Sequence, residues 1–264
     1  MSSKPKKKEG FLKKIGKLFT PIKKVGKAVM SKIEQTQKAT DFDTMSDETK
    51  LHAHIANQSY SKVGQREKSL GGYELDESFS GKKHAVYHNK NTNKTIISYR
   101  GTDPTDAEDL YNDAHILKGT QATTDRYKRS EKLYDDVASK YGSNITATGH
   151  SLGGNISEHI ARKKGAKAET FNTGRGIDKN YAVASAKCFI TKYVGKRPKY
   201  CDNVKRHHIV GDPLSATNKG YGKAYSYRSK GIKSHSLENF LGKDNPVERF
   251  RPQKQKSIVS SSLG

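Results

Sequence analysis

A chain of 264 residues with 50 Lys+Arg against 27 Asp+Glu carries a net charge of +23, which argues for an anionic partner and leaves the fold open. The length suffices for one core that buries roughly three-quarters of the unfolded surface, while a hydrophobic share of only 32% puts part of the chain outside that core. Two cysteines, Cys188 and Cys201, exclude a disulfide scaffold and a four-Cys zinc site and are expected as free thiols, and no run nears the roughly 18 apolar residues of a membrane span.

Residues 1 to 33 hold eleven lysines and one acid, Glu9, so this segment carries +10 of the charge. Within it Phe11, Ile15, Leu18, Ile22, Val25, Val29 and Ile33 recur at steps of three or four, the stripe of a cationic amphipathic helix that Pro21 kinks or splits. Lysines interrupt the first apolar stretch, so no signal-peptide core is expected. Such an arm suits a peripheral anionic membrane surface, where lysines add attraction and the stripe inserts shallowly. The same charges would neutralise phosphates, which makes nucleic acid an alternative partner of residues 1 to 33 but leaves the apolar stripe unused. This makeup suits an intracellular location, membrane-associated or packaged in a virion.

Residues 34 to 46 read as a polar linker, so that 1–45 form the arm and linker, 46–244 the folded domain and 245–264 a Ser- and Lys-rich flexible tail. Ser46 or Asp47 caps a helix running to about Tyr60. Strand-like runs follow at Tyr73 to Leu75, His84 to His88 and Thr95 to Tyr99, the last two flanking an Asn/Lys-rich turn as in an antiparallel hairpin. A helical pattern at 125 to 141 leads into a short strand, Asn144 to Thr148, then Gly-His-Ser-Leu-Gly-Gly, then a helix to about Lys164. Further strands are expected at Ala168 to Phe171, Arg206 to Val210 and Lys223 to Tyr227. Strands alternating with helices imply an α/β fold: a mostly parallel sheet with an antiparallel edge hairpin and helices on both faces.

Gly149-His150-Ser151-Leu152-Gly153 is a G-x-S-x-G nucleophile elbow, and its strand-before, helix-after setting is the context that the motif needs. A serine requires a histidine base whose other nitrogen is held by an acid. Asp212 follows the apolar run His208-Ile209-Val210, at a strand's carboxyl end where sheets present functional side chains. Only one histidine, His235, lies beyond it, so the order serine, acid, histidine selects Ser151, Asp212 and His235. Asp178 and Asp202 remain alternative acids, with His207 or His208 as the base. His207-His208 and His52-x-His54 lack further ligands at a recognised metal spacing, so neither a metal nor a cofactor is expected.

Residues 95 to 171 resemble the class 3 lipases, the fungal-type branch of the α/β-hydrolases, through Ile97-Ser98-Tyr99-Arg100-Gly101-Thr102, the acidic stretch Asp109 to Asp113 and GHSLGG. The resemblance implies the α/β-hydrolase fold, and it implies an oxyanion hole at Thr102 and the residue after the nucleophile, Leu152. The chain departs from the family where Asn172-Thr173-Gly174-Arg175-Gly176 lacks a proline. The lid-like segment 103 to 116 carries five acids and no Trp, so an esterase or phospholipid-directed activity fits as well as triglyceride hydrolysis. The expectation is a serine hydrolase of carboxylic esters of lipids, working through an acyl-enzyme. The alternative is an inactive lipase-like module that binds membrane, nucleic acid or an acidic partner through the arm.

Overall fold

A computed structural model of the chain describes residues 40–102, 124–174, 179–215, 220–229 and 233–242. Contacts divide the chain into Met1–Ala39 and Thr40–Gly264, and every described residue belongs to the second unit. The basic arm with its apolar stripe, the lid-like segment 103–116 and the tail 245–264 lie outside the described residues.

Helix α1 (Asp47–Gln58) starts where the Ser46 side chain accepts the Thr49 amide at 3.2 Å, with Asp47 and Glu48 in its first turn. This satisfies one of the amides that a helix start leaves without a partner and places negative charge at the positive end of the dipole. The strands are β1 (Ser69–Leu70), β2 (Tyr73–Leu75), β3 (His84–Asn89), β4 (Lys94–Tyr99), β5 (Ile145–His150), β6 (Lys167–Phe171), β7 (Val204–Ile209) and β8 (Lys223–Tyr227). They form one eight-stranded sheet in chain order, antiparallel from β1 to β4 and parallel from β4 to β8. The hairpin closes because Asn89 Oδ1 accepts the amides of Asn91 and Thr92, both at 3.0 Å, and Asn93 takes a left-handed φ of 49°.

Between the parallel strands run α2 (Asp125–Tyr141), α3 (Leu152–Lys164), α4 (Lys179–Ile190) and the short α5 (Tyr200–Asn203). Right-handed crossovers that always step in one direction put their helices on one face of a sheet. Accordingly Tyr127, Tyr134, Val137, Ile156, Ile160, Tyr181 and Ala184 share one core with Val86, Ile97 and Ala147. The alternate strand residues Ala85, Tyr87 and Ile96 point to the other face, where Leu51 and Ile55 of α1 cover them. Farther along that face Ala53 and Ala56 pack with Phe171, Ile209, Tyr227, Leu237 and Phe240. The architecture is the α/β-hydrolase fold: a mostly parallel sheet with an antiparallel edge and helices on both sides.

Three local expectations change. The linker reading extends to residue 46, yet Phe42 and Met45 are buried and Thr40 bridges to Tyr227, so the chain joins the core before α1 begins. Helix α4 was not expected. Tyr181, Ala184 and Cys188 line its buried side, but Val183, Phe189 and Ile190 are exposed, so apolar residues on both sides blur the helical period. The thiols are not free: Cys188 of α4 and Cys201 of α5 are joined in a disulfide, their Cα atoms 5.5 Å apart. Packing of the two helices beside the start of β7 brings these Cα atoms within bonding range, which spacing in the sequence does not reveal. Among the described residues no helix is long and apolar enough to cross a membrane.

Candidate active site

Ser151 stands between β5 and α3 with φ 56° and ψ −122°, a strained conformation for a residue with a side chain. The flanking glycines make the turn possible. A Cβ on Gly149 would lie 2.5 Å from the Gly153 carbonyl carbon, and one on Gly153 would lie 2.0 Å from the Tyr99 carbonyl oxygen. The Ser151 amide is held by the Phe171 carbonyl at 3.1 Å, and the first bond of α3 runs from the Asn155 amide to the Ser151 carbonyl, also 3.1 Å. The Leu152 amide therefore precedes the helix's own bonding pattern, with the helix dipole behind it.

The β8 connection returns His235 to the same edge. Its Nε2 lies 3.0 Å from Ser151 Oγ, and its Nδ1 lies 3.1 Å from both carboxylate oxygens of Asp212. The Asp212 side chain is fully buried, and the His235 side chain is 31% exposed. Burial pushes the Asp212 carboxyl up, but hydrogen bonds from His235 and Ser215 outweigh it and hold the group below the usual carboxylate range. Its oxygens also accept the Leu214 and Ser215 amides, each at 3.1 Å, so Asp212 stays ionised and cannot rotate.

The loop that carries His235 is pinned carbonyl by carbonyl. Asn239 Nδ2 donates to Lys233 and Ser236, Asn172 Nδ2 to Ser234 at 2.9 Å, and His150 Nε2 to His235 itself at 2.7 Å. Asn172 has φ 45°, and its Oδ1 accepts the Ile209 amide, so one residue ties β6, β7 and the His235 loop together. Sequence reasoning missed Asn172, Asn239 and Tyr60 as parts of this frame. The one signal was an Asn at a strand end, where a left-handed conformation is tolerated.

Thr102 lies three residues beyond β4, and the Tyr99–Gly149 pairing sets that strand end beside the elbow. The Arg126 guanidinium donates to the Arg100 carbonyl at 2.8 Å, and the Tyr60 hydroxyl accepts the Gly101 amide at 3.1 Å, so the loop before Thr102 is fixed on both sides. The alternative acid–base sets do not meet Ser151. Asp202 pairs with Arg197 at 2.8 Å, His207 with Glu169 at 2.9 Å, and His208 with Ser226 at 2.8 Å; Asp178 lies outside the described residues.

A serine hydroxyl, an imidazole and a buried carboxylate thus stand in hydrogen-bonded sequence. Among solved structures, the Lip2 lipase of Yarrowia lipolytica is similar at 16% identity and a TM-score of 0.43, over 72% of this chain and 81% of the lipase. An esterase of the hyperthermophilic archaeon Pyrobaculum calidifontis is similar at 12% identity and a TM-score of 0.34, over 81% of this chain and 90% of the esterase. No curated protein matches the chain. The description of a Tle-like phospholipase domain, within the phospholipase-like family, matches residues 43–260. Since that match spans most of the sequence, the chain belongs to this family, and it is a lipase-like hydrolase of carboxylic esters.

Proposed function

We propose that the protein is a phospholipase that cleaves the carboxylic esters of membrane lipids through an acyl-enzyme on Ser151. The observation that carries this reading is the 3.0 Å contact between Ser151 Oγ and His235 Nε2, with Asp212 behind the ring. In the proposed course His235 takes the hydroxyl proton as Oγ bonds to the ester carbonyl carbon, and Asp212 holds the ring in the tautomer that can accept it. Negative charge moves to the former carbonyl oxygen, where the Leu152 amide and Thr102 stabilise it, each worth a few kcal/mol of barrier (about 3). Collapse breaks the ester bond, and the proton on Nε2 passes to the departing alkoxide oxygen, which leaves as the lysolipid hydroxyl. Water then attacks the acyl-serine with His235 again as base, releasing the fatty acid.

Membership of a phospholipase-like family favours glycerophospholipids over triglycerides as substrate, and the sequence of 103–116, with five acids and no Trp, supports the same choice. Labelling by a fluorophosphonate probe tests the chemistry. The native chain should label and Ser151→Ala should not; absence of labelling in well-folded native protein would leave only a binding role.

The arm of residues 1–33 we assign to anionic membrane surfaces, through Phe11, Ile15, Leu18, Ile22, Val25 and Val29 and the lysines among them. At about 1 kcal/mol for each lysine near the surface, even a few engaged lysines change binding by orders of magnitude. Flotation with phosphatidylserine-containing vesicles should therefore recover the full chain and far less of a variant lacking residues 1–33. Equal recovery of both would remove the arm from this role.

A further inference from the structure

The residue before the nucleophile is itself a histidine whose bonds are all directed inward. His150 is buried, its Nε2 is 2.7 Å from the His235 carbonyl, and its Nδ1 is 3.0 Å from the Tyr60 hydroxyl. A carbonyl only accepts, so Nε2 carries the proton. Burial foremost, and then the neighbouring His235, push His150 down to about 4, so at neutral pH the ring is uncharged and Nδ1 is an acceptor. That nitrogen takes the single Tyr60 hydroxyl proton in preference to the His150 carbonyl, which lies farther away at 3.4 Å.

The Tyr60 oxygen then has lone pairs left, and the Gly101 amide donates to it at 3.1 Å. The bonds run in one direction, from the Gly101 amide to the Tyr60 hydroxyl, to His150 Nδ1, and from Nε2 to the His235 carbonyl. Gly101 immediately precedes Thr102. A Cβ at Gly101 would fall 2.0 Å from the Tyr60 hydroxyl and 2.7 Å from the His150 carbonyl, so only glycine admits this approach.

We infer that Tyr60 and His150 are positioning residues that join the oxyanion loop at Gly101 to the backbone of the base His235, setting both relative to Ser151. The inference rests on the proposed serine-hydrolase reading. Its physical content is directional. If Tyr60 loses its hydroxyl, His150 Nδ1 loses the donor that anchors that side of the ring and the Gly101 amide loses its acceptor. Two loops that act only in the transition state can then drift, and a misplacement of about 1 Å can cost up to about 100-fold in rate. Substrate binding should hardly change, because neither residue is placed against substrate.

The test is steady-state hydrolysis of a soluble short-chain ester, p-nitrophenyl butyrate, together with the rate of fluorophosphonate labelling, by native protein, Tyr60→Phe, His150→Leu, His150→Gln and the double variant Tyr60→Phe/His150→Leu. Tyr60→Phe and His150→Leu should lower kcat and labelling rate about 10- to 100-fold with KM within about twofold. His150→Gln, which retains a donor toward the His235 carbonyl, should recover most of the loss. The double variant should be no slower than the worse single variant, because residues of one connected chain are not additive. Unchanged kcat in Tyr60→Phe, equal losses in His150→Gln and His150→Leu, or additive losses in the double variant would each overturn the inference. Should Tyr60→Phe fail to fold, the Gln against Leu comparison at 150 decides. Native protein that neither labels nor hydrolyses removes the serine-hydrolase reading and this inference with it; native activity with an indifferent Tyr60→Phe removes the inference alone.

Discussion

Asp212→Asn should lower kcat about 10⁴-fold while leaving Ser151 and His235 in place. The reason is specific to how Asp212 is held. Both of its oxygens accept backbone amides, from Leu214 and Ser215 at 3.1 Å, and both face His235 Nδ1 at 3.1 Å. An asparagine has one acceptor and one donor at these positions, so in either orientation its NH₂ meets a backbone N–H. If that group also faces the ring, Nδ1 must become the acceptor and the proton moves to Nε2. His235 would then point a donor at Ser151 Oγ and could no longer take its proton. A donor set against a donor costs about 1–3 kcal/mol of stability, so the variant should still fold. The checks are kcat and KM on a soluble ester, with urea unfolding of the same samples. Activity within tenfold of the native chain would show that Asp212 does not set the tautomer.

Every strand but the two-residue β1 was legible, because their runs hold β-branched or aromatic residues and are bounded by turn chemistry; β2 and β8 begin and end where the pattern does. The elbow was legible because two glycines at fixed spacing have a single steric cause, the closeness of Tyr99 and Gly153 to the turn. His235 could be selected because chain order left one histidine after Asp212, and the fold brings its ring to the serine. Helix α4 was hidden by exposed Val183, Phe189 and Ile190. The frame behind the site was hidden for a different reason. Tyr60 and Asn172 act through long-range bonds and Asn239 through two bonds to carbonyls of its own loop, and a bond between residues 41 positions apart, as from Gly101 to Tyr60, leaves no periodic trace. Tyr60 in particular is indistinguishable in sequence from an apolar residue at the end of α1. Sequence periodicity reports burial, whereas the site is built from direction.

Acid should unfold the protein early, because the fold holds buried and half-buried imidazoles that resist protonation. His84, His150 and His208 are each pushed down to about 4, by burial first and then by a neighbouring group: the Arg66 guanidinium for His84, the His235 ring for His150 and the Arg206 guanidinium for His208. His207 is also lowered, burial outweighing its bond to Glu169. An unfolded imidazole takes its proton near 6.5, and His84, His150 and His208 do not until about 4. Between those values the unfolded chain binds more protons, so stability is intact above about pH 6.5 and is lost as the pH falls toward 4. A fully buried ring such as His150 accounts for about 3 kcal/mol of that loss. Glu169 adds a second, lower phase. Burial raises its carboxyl, yet bonds from His207 at 2.9 Å and His52 at 2.6 Å hold it well below the usual range, so its contribution is present above the unfolded carboxylate value, about 4.3, and disappears beneath it. Since a whole domain is stable by about 5–15 kcal/mol, these terms suffice to melt it near pH 4. Urea unfolding followed by circular dichroism should show a constant midpoint from pH 8 to 7, a steady fall from 6.5 to 4.5 and loss of the folded baseline below. A midpoint that stays level down to pH 4.5 would mean that these rings already carry their protons in the folded protein, and that the neutral His150 behind the serine is wrongly assigned.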